Sequence, residues 1–270
     1  MHYFVSKPSV ALSQYVKGYW GMSSRGSFKE PYNYRIVPSG IPELTFYFGH
    51  RPAATDKSFA LEENTLICGH KKQYQDIVIS DELEMFSVLF QPQGLMAFFD
   101  IPLAEFYNRM MPLKYILRGD SDELEMRLNE AESFGERIVL IERFLLKRLE
   151  KSRKKYEYNR VNHSIGLINN SKASVSIEQL ASHACLSRKQ LERVFSDYIG
   201  STPKQFLKTV RFQSALAQKS LFKEKNLTEL AYDAGYYDQS HMINDFKILS
   251  GFTPGEFFAE CEPTSDYFLF

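Results

Sequence analysis

The heptapeptide Gly-x-Thr-Pro-x-x-Phe occurs twice, as GSTPKQF at 200–206 and GFTPGEF at 251–257, 51 residues apart (251 − 200). Each copy spells a sharp corner between two helices. Glycine accepts the left-handed conformation that closes a helix. Threonine two residues on is a good N-cap, and proline after it is pre-set for a first helical turn. Gln205 and Glu256 then stand at the third helical position, where each completes a capping box with Thr202 or Thr253. In the second copy Phe252 and Phe257 occupy the places of a hydrophobic staple. Two such corners imply two equivalent units.

The segments leading into the corners bear this out as a pattern. SIEQLASHACLSRKQLERVFSDYIGSTPKQF aligns with NLTELAYDAGYYDQSHMINDFKILSGFTPGEF. Leu180 matches Leu230 and Ala181 matches Ala231 at an offset of 50 (230 − 180), whereas Phe195 matches Phe246 at 51 (246 − 195). The second copy thus has one more residue in its central turn. Repetition of this kind marks one supersecondary unit present twice. Each unit reads as helix–turn–helix. Ser176 with Gln179, and Asn226 with Glu229, open a first short helix, and Ser187 or Asp238 caps the next. The second helix is expected to bury Leu191, Val194, Phe195 and Tyr198 in unit one, and Met242, Phe246 and Leu249 in unit two. Its other face carries Arg188, Lys189, Glu192 and Arg193, then Gln239, Ser240, Ile243, Asn244 and Lys247. Arginine can bond guanine edges bidentately, and Gln or Asn can do so with adenine. An ordinary solvated helix face is the alternative, and two capped units with matching turns favour DNA. A connecting helix from about 203 to 219 would be ~25 Å long, which puts the two reading helices ~34 Å apart, one turn of duplex.

These motifs, with the intervening VRFQSALAQKSL, resemble the DNA-binding domain of AraC-type (AraC/XylS) bacterial transcription regulators. The resemblance implies a seven-helix domain with two helix–turn–helix units. It implies that Lys189, Glu192 and Arg193 face bases from the first reading helix, and Gln239, Ser240 and Asn244 from the second. The chain departs from the usual pattern at Cys185, where a glycine is common, and at Asn244, where a basic residue is frequent. Less specifically, YRIVPSGIPELTFYFG and FQPQGLMAFFDIPLAEFYNRMMPL resemble the N-terminal domains of one branch of these regulators, often a β-rich sensor or dimerisation domain.

The front half reads independently as strand-rich. YNYRIVP, ELTFYFG, TLICGH, QDIVIS and EMFSVLFQP are short β-branched and aromatic runs broken by Pro, Gly, Asp and Asn. An antiparallel sandwich or open barrel follows, with short helices at QGLMAFFD and PLAEFYNRM. Farther on, Ile138, Ile141, Leu145 and Leu149 form one apolar helical stripe, either a core face or a dimer seam. The expected fold is α+β: a β-rich, sensor-like domain over 1–115, a helical extension over 116–150, a basic linker over 151–160, and an all-α DNA-binding domain over 161–260. Charge follows this division. Residues 1–150 carry 17 basic and 20 acidic side chains (17 − 20 = −3), and 161–255 carry 11 and 8 (11 − 8 = +3), so the mildly basic half is the one with the repeat.

Competing chemistry is thin. No Gly-rich phosphate loop is present, and GDSDELE fails the spacing of a calcium loop. Cys68, His70 and His50 are the one tempting metal set, with Cys68 and His70 on one face of a strand, but a strand histidine is more often structural. No cofactor and no metal are expected, and the chain is not read as an enzyme. Three scattered cysteines, no long apolar run at the start and no membrane-length stretch suit a cytoplasmic protein. Expected partners are double-stranded promoter DNA, a second copy of the chain, a small-molecule effector and RNA polymerase, with no membrane. Trp20, Phe46 and Phe48 are candidates to line an effector pocket, although core packing is the plainer role for each. The competing classes are a ligand-binding or catalytic β-barrel that carries a DNA module, which would need Cys68 as its reactive group, and an adaptor that binds protein rather than DNA.

Overall fold

A computed structural model describes residues 2–24, 31–55, 63–80, 82–117, 119–151, 156–261 and 267. Nine strands occupy the front: β1 (His2–Ser6), β2 (Val16–Ser23), β3 (Tyr32–Ile36), β4 (Glu43–Tyr47), β5 (Ala53–Ala54), β6 (Thr65–Cys68), β7 (Gln75–Ile79), β8 (Glu84–Phe90) and β9 (Met110–Pro112). They form two sheets, a six-stranded one in the order β1-β2-β8-β4-β6-β9 and a three-stranded one in the order β3-β7-β5. All pairings are antiparallel. The front half is thus β-rich and antiparallel as expected, in two sheets, and neither closes into a barrel among the described residues. The reason lies in what covers the larger sheet. After α1 (Lys114–Leu117), the helices α2 (Asp120–Glu130) and α3 (Phe134–Lys151) lay an apolar face on it. Ile141 and Leu145 of α3 are fully buried among Phe46, Phe86 and Val88, while Ile138 and Leu149 pack at the margin. The α3 stripe is therefore core over its middle turns. The two short helices expected at 93–110 are 3-10 turns at Gly94–Ala97 and Leu103–Phe106.

Seven helices follow among the described residues: α4 (Tyr156–Asn170), α5 (Ile177–His183), α6 (Arg188–Ile199), α7 (Pro203–Leu221), α8 (Leu227–Asp233), α9 (Gln239–Ser250) and α10 (Pro254–Glu260). They close two small cores. Leu180, Leu191, Phe195, Ile199, Phe206 and Val210 fill the first, and Phe212, Leu230, Met242, Phe246, Leu249 and Phe257 the second. The 19-residue α7 contributes to both, so it is a spine of about 28 Å on which the two units are mounted. Four phenylalanines make the second core dense. Phe212 meets Phe246 edge-on at 4.7 Å, and Phe257 and Phe258 lie within 6.1 Å of one or other of them.

Lys151 still belongs to α3, residues 152–155 lie outside the described set, and 156–160 are the first turns of α4. In these turns Tyr158 is anchored to the front half. Its hydroxyl donates to the Gln14 carbonyl at 2.8 Å and accepts from Gln93 Nε2, which also donates to Asn162 Oδ1.

The two halves meet at both repeated corners. Gly200 has φ of 80° and Gly251 has φ of 77°, each closing its helix in the left-handed conformation. A Cβ at Gly200 would stand 2.6 Å from the Leu103 carbonyl oxygen, so the first corner fits against the 3-10 turn of the front half only as glycine. A Cβ at Gly251 would lie 2.7 Å from the Tyr74 ring and 3.0 Å from Arg35 Nη1. Arg35 is the hub of that second contact. It pairs bidentately with Asp76, at 2.7 Å for both bonds, across the β3–β7 register. Its plane lies between the rings of Tyr74, at 4.1 Å, and Phe252, at 4.4 Å. Its Nη1 donates to the Ser250 carbonyl at 2.9 Å, placing a cation on the open C-terminus of α9, where the helix dipole favours one. Between the corners, Gln213 of α7 donates to the Pro38 carbonyl, and His70 sits edge-on to Phe206 at 5.7 Å.

Candidate nucleic-acid interface

Each helix of the repeat begins where its cap residue says it should. Ser176, Ser187, Asn226 and Thr253 form complete capping boxes with Gln179, Gln190, Glu229 and Glu256. Asp238 accepts from the His241 backbone N–H at 2.7 Å. The box expected of Thr202 and Gln205 is only half made. Thr202 accepts from the Gln205 N–H, but the Gln205 side chain turns inward and its Nε2 is buried without a hydrogen-bond partner. The start of α7 is packed beneath the front half, which draws that amide away from the cap.

Turn lengths differ by the one residue anticipated, with four residues between α5 and α6 and five between α8 and α9 (188 − 183 − 1; 239 − 233 − 1). Cys185 adopts a left-handed backbone with φ of 52°, and Gly235, its counterpart, has φ of 84°. The unusual residue thus takes the glycine geometry. Leu191, Val194 and Phe195 are buried on α6 together with Ile199, while Tyr198 is half-buried. On α9, Met242, Phe246 and Leu249 are fully buried.

The opposite faces are open. Arg188, Lys189, Glu192 and Arg193 are exposed along the first two turns of α6. Arg188 pairs with Glu192 at 3.3 Å and approaches Glu178 at 3.7 Å, so these charges answer one another. Lys189 and Arg193 make no ion pair among the described residues and are the cations that α6 offers outward. On α9, Ser240, Asn244 and Lys247 are exposed, whereas Gln239 and Ile243 are half-buried. Gln239 accepts from the Thr228 hydroxyl at 3.0 Å, which holds its amide towards α8.

Two features escaped the pattern reading. Tyr237 is 85% exposed in the turn before α9, and Tyr232 on α8 is 62% exposed. Their signal in the sequence is the tyrosines of AYDAGYYD themselves, which sit in and before the turn. The second feature is Asp245, on the inner side of α9. It is buried, lies 3.1 Å from Lys208 and 3.8 Å from Arg211 on α7, and 3.7 Å from His241. Beside it the buried Tyr236 phenol is pushed well above its ordinary pKa by burial, with the Asp245 charge adding to the effect. This cluster fastens the reading helix to the spine.

Phe46 is in the sheet core, Phe48 lies under the Arg137 guanidinium at 3.8 Å, and Trp20 donates its Nε1 to Glu43 at 2.8 Å. Cys68 ends β6, and burial pushes its thiol pKa up, with Lys71 opposing. His70 lies two residues beyond the end of β6, buried edge-on against Phe206. No three His, Cys, Asp or Glu side chains gather as a metal needs among the described residues. No helix among them is long and apolar enough to cross a membrane.

Comparison with known proteins agrees with this geometry. A helix-turn-helix domain family matches residues 180–260, and a domain of unknown function (DUF6597) matches residues 5–112. The transcriptional regulator ArgR of Pseudomonas aeruginosa is 28% identical over 82 residues, 30% of this chain and 25% of that protein. The transcriptional activator RhaS of Mannheimia succiniciproducens is 31% identical over 90 residues, 33% of each. The chain spans only about a quarter to a third of the length of the curated relatives it matches. Among solved structures, ToxT from Vibrio cholerae aligns over 88% of this chain and 98% of its own, with 11% identity and a TM-score of 0.49. The chain therefore carries, in residues 180–260, the helix-turn-helix domain of the AraC-type regulators.

Proposed function

We propose that this protein is a sequence-specific, DNA-binding transcription regulator acting in the cytoplasm. The observation that carries the reading is the pair of helix-turn-helix units mounted on one spine, each with a capped second helix whose polar face is open. Lys189 and Arg193 are the direct readers of the first unit, with Arg188 and Glu192 free to exchange their mutual contacts for DNA. Ser240, Asn244 and Lys247 read from the second, with Gln239 joining once it leaves Thr228. One monomer then spans two successive major grooves. The division of labour places sensing and assembly in residues 1–115 and 116–150, and DNA binding in 161–260. As a regulator it works as a homodimer and contacts RNA polymerase at its promoters.

Catalysis by the front half is the weaker reading. Its one candidate nucleophile, Cys68, has a thiol held protonated by burial. The testing experiment is selection of duplex fragments from a random pool by the full chain, followed by gel retardation of the winners across a salt series. A shared motif with two half-sites about one helical turn apart, and affinity that falls steeply with salt, is the expected result. No enrichment and no retarded band at low salt would refute it.

A further inference from the structure

Backbone hydrogen bonds locate the extra residue of the second unit. In the first unit the Cys185 N–H donates to the Ser182 carbonyl and the Leu186 N–H to the Ala181 carbonyl. In the second, the Gly235 N–H donates to Tyr232 and the Tyr236 N–H to Ala231, the same pattern at an offset of 50 (235 − 185; 236 − 186). The caps that follow, Ser187 and Asp238, are 51 apart (238 − 187). Tyr237 is therefore the inserted residue and has no counterpart in the first unit.

Its surroundings set it apart from its neighbours. Leu186 and Tyr236 pack on the cores of their units. Tyr237, between Tyr236 and the cap, is 85% exposed. Its hydroxyl makes no hydrogen bond, and its ring meets no other ring, among the described residues. Packing within the unit gives no reason for a tyrosine there, but its position does. A reading helix meets base edges with its N-terminal residues. A side chain just before the cap then stands at the lip of the groove, where the phosphates of the bordering strand run. The two units differ in what else they bring to that lip. The first turn of α6 holds Arg188 and Lys189, whereas α9 opens with Gln239, Ser240, His241 and Met242 and has no lysine or arginine before Lys247, in its third turn. The Asp238 carboxylate is occupied by the His241 backbone N–H at 2.7 Å. The phenol of Tyr237 is thus a long, unengaged donor at an entry that lacks cations.

We infer that Tyr237 is a phosphate anchor of the second unit. Its hydroxyl donates to a phosphate oxygen beside the groove that α9 enters, and so it positions α9 without reading a base. The inference rests on the DNA-binding reading and adds to it a neutral contact. Such a contact displaces no counterion, so it strengthens binding without adding to its salt dependence.

The test uses the full chain on a duplex fragment that it has selected. Tyr237→Phe removes one exposed oxygen and leaves the ring, the turn and the caps in place. Gel retardation should show Tyr237→Phe binding about three- to tenfold more weakly. The loss should be even across the selected fragment and its single-base variants, and the slope of log affinity against log salt should not change. Ethylation of the fragment's phosphates gives a second readout. At one phosphate, ethylation should weaken the unaltered chain and have no further effect on Tyr237→Phe. Equal affinity of the two chains, whatever the variant does to transcription, overturns the inference. A loss confined to one base pair, or no phosphate whose ethylation distinguishes the chains, overturns it as well. Each of these results leaves the regulator reading standing. Only an unaltered chain that selects and retards no duplex at low salt would sink both.

Discussion

Cys185 occupies a left-handed backbone position that an L-residue holds at a cost of about 1–2 kcal/mol. Its side chain is exposed. Replacing it with glycine relieves the strain and loosens the unfolded chain, and a net gain of about 0.5–1 kcal/mol is expected in chemical unfolding. Gly235, the matching position, behaves oppositely. An added Cβ would stand 2.1 Å from the Lys172 carbonyl oxygen, so Gly235→Ala should destabilise where Cys185→Gly stabilises. Equal effects at the two sites would contradict the strain argument. On the DNA side, Arg193 is exposed on α6 and makes no ion pair among the described residues. Arg193→Ala should cost about 1–3 kcal/mol, concentrated at one base position of a selected site, and Asn244→Ala less. Competition binding against single-base variants distinguishes this from a phosphate contact, whose loss would be uniform across sequences.

At the scale of elements, the orientation of α9 depends on groups that face away from DNA. Asp245 joins α9 to Lys208 and Arg211 of α7 from a buried position. Asp245→Ala leaves those cations facing a void, with an expected loss of about 3–5 kcal/mol in unfolding stability. DNA binding should fall with it even though Asp245 is not a base reader. Arg35 acts from the outside on the same helix, through Ser250 and Phe252. Removing it as Arg35→Ala should speed amide exchange over 246–258 while β3 and β7 keep their pairing, as hydrogen exchange read by mass spectrometry can report. Arg35→Lys should fail to restore protection, because an ammonium can neither pair bidentately with Asp76 nor stack between two rings. The contrast with the caps explains what was legible in the sequence. Ser187 and Gln190 are three residues apart, so their reciprocal bonds can be read from spacing alone. Arg35 and Ser250 are 215 apart, and no local pattern joins them. The same distinction accounts for β2, whose VKGYWGMS has two glycines and is buried on both faces, leaving no alternation to detect. It also accounts for Gln205, where local chemistry specified a capping box and tertiary packing took the side chain elsewhere.

For the whole molecule, the seam between the halves carries a pH signature. His70, buried against Phe206, has its pKa lowered from 6.5 to about 4 by loss of solvent, with the Pro92 carbonyl opposing. Between those values the unfolded chain holds the extra proton, so stability rises with pH across that window and is complete above it. From pH 7 to pH 5 the folded protein should lose about 2 kcal/mol on this account. His70→Gln should flatten that dependence, and denaturant midpoints at the two pH values compare them. Identical pH slopes would show that His70 is not the group responsible. Both glycine corners rest on this one front half, Gly200 on Leu103 and Gly251 on Tyr74 and Arg35. The two reading helices are accordingly held by two supports, the α7 spine and the body beneath it, and cannot swivel independently. On the proposed function, a promoter read by both helices would inherit that stiffness. One base pair inserted between the two contacted grooves turns the second by about 35° around the duplex axis, an angle that a flexible tandem of modules would absorb and a doubly braced one would not. The length of the gap in an operator is then as much a part of its spelling as the bases that flank it.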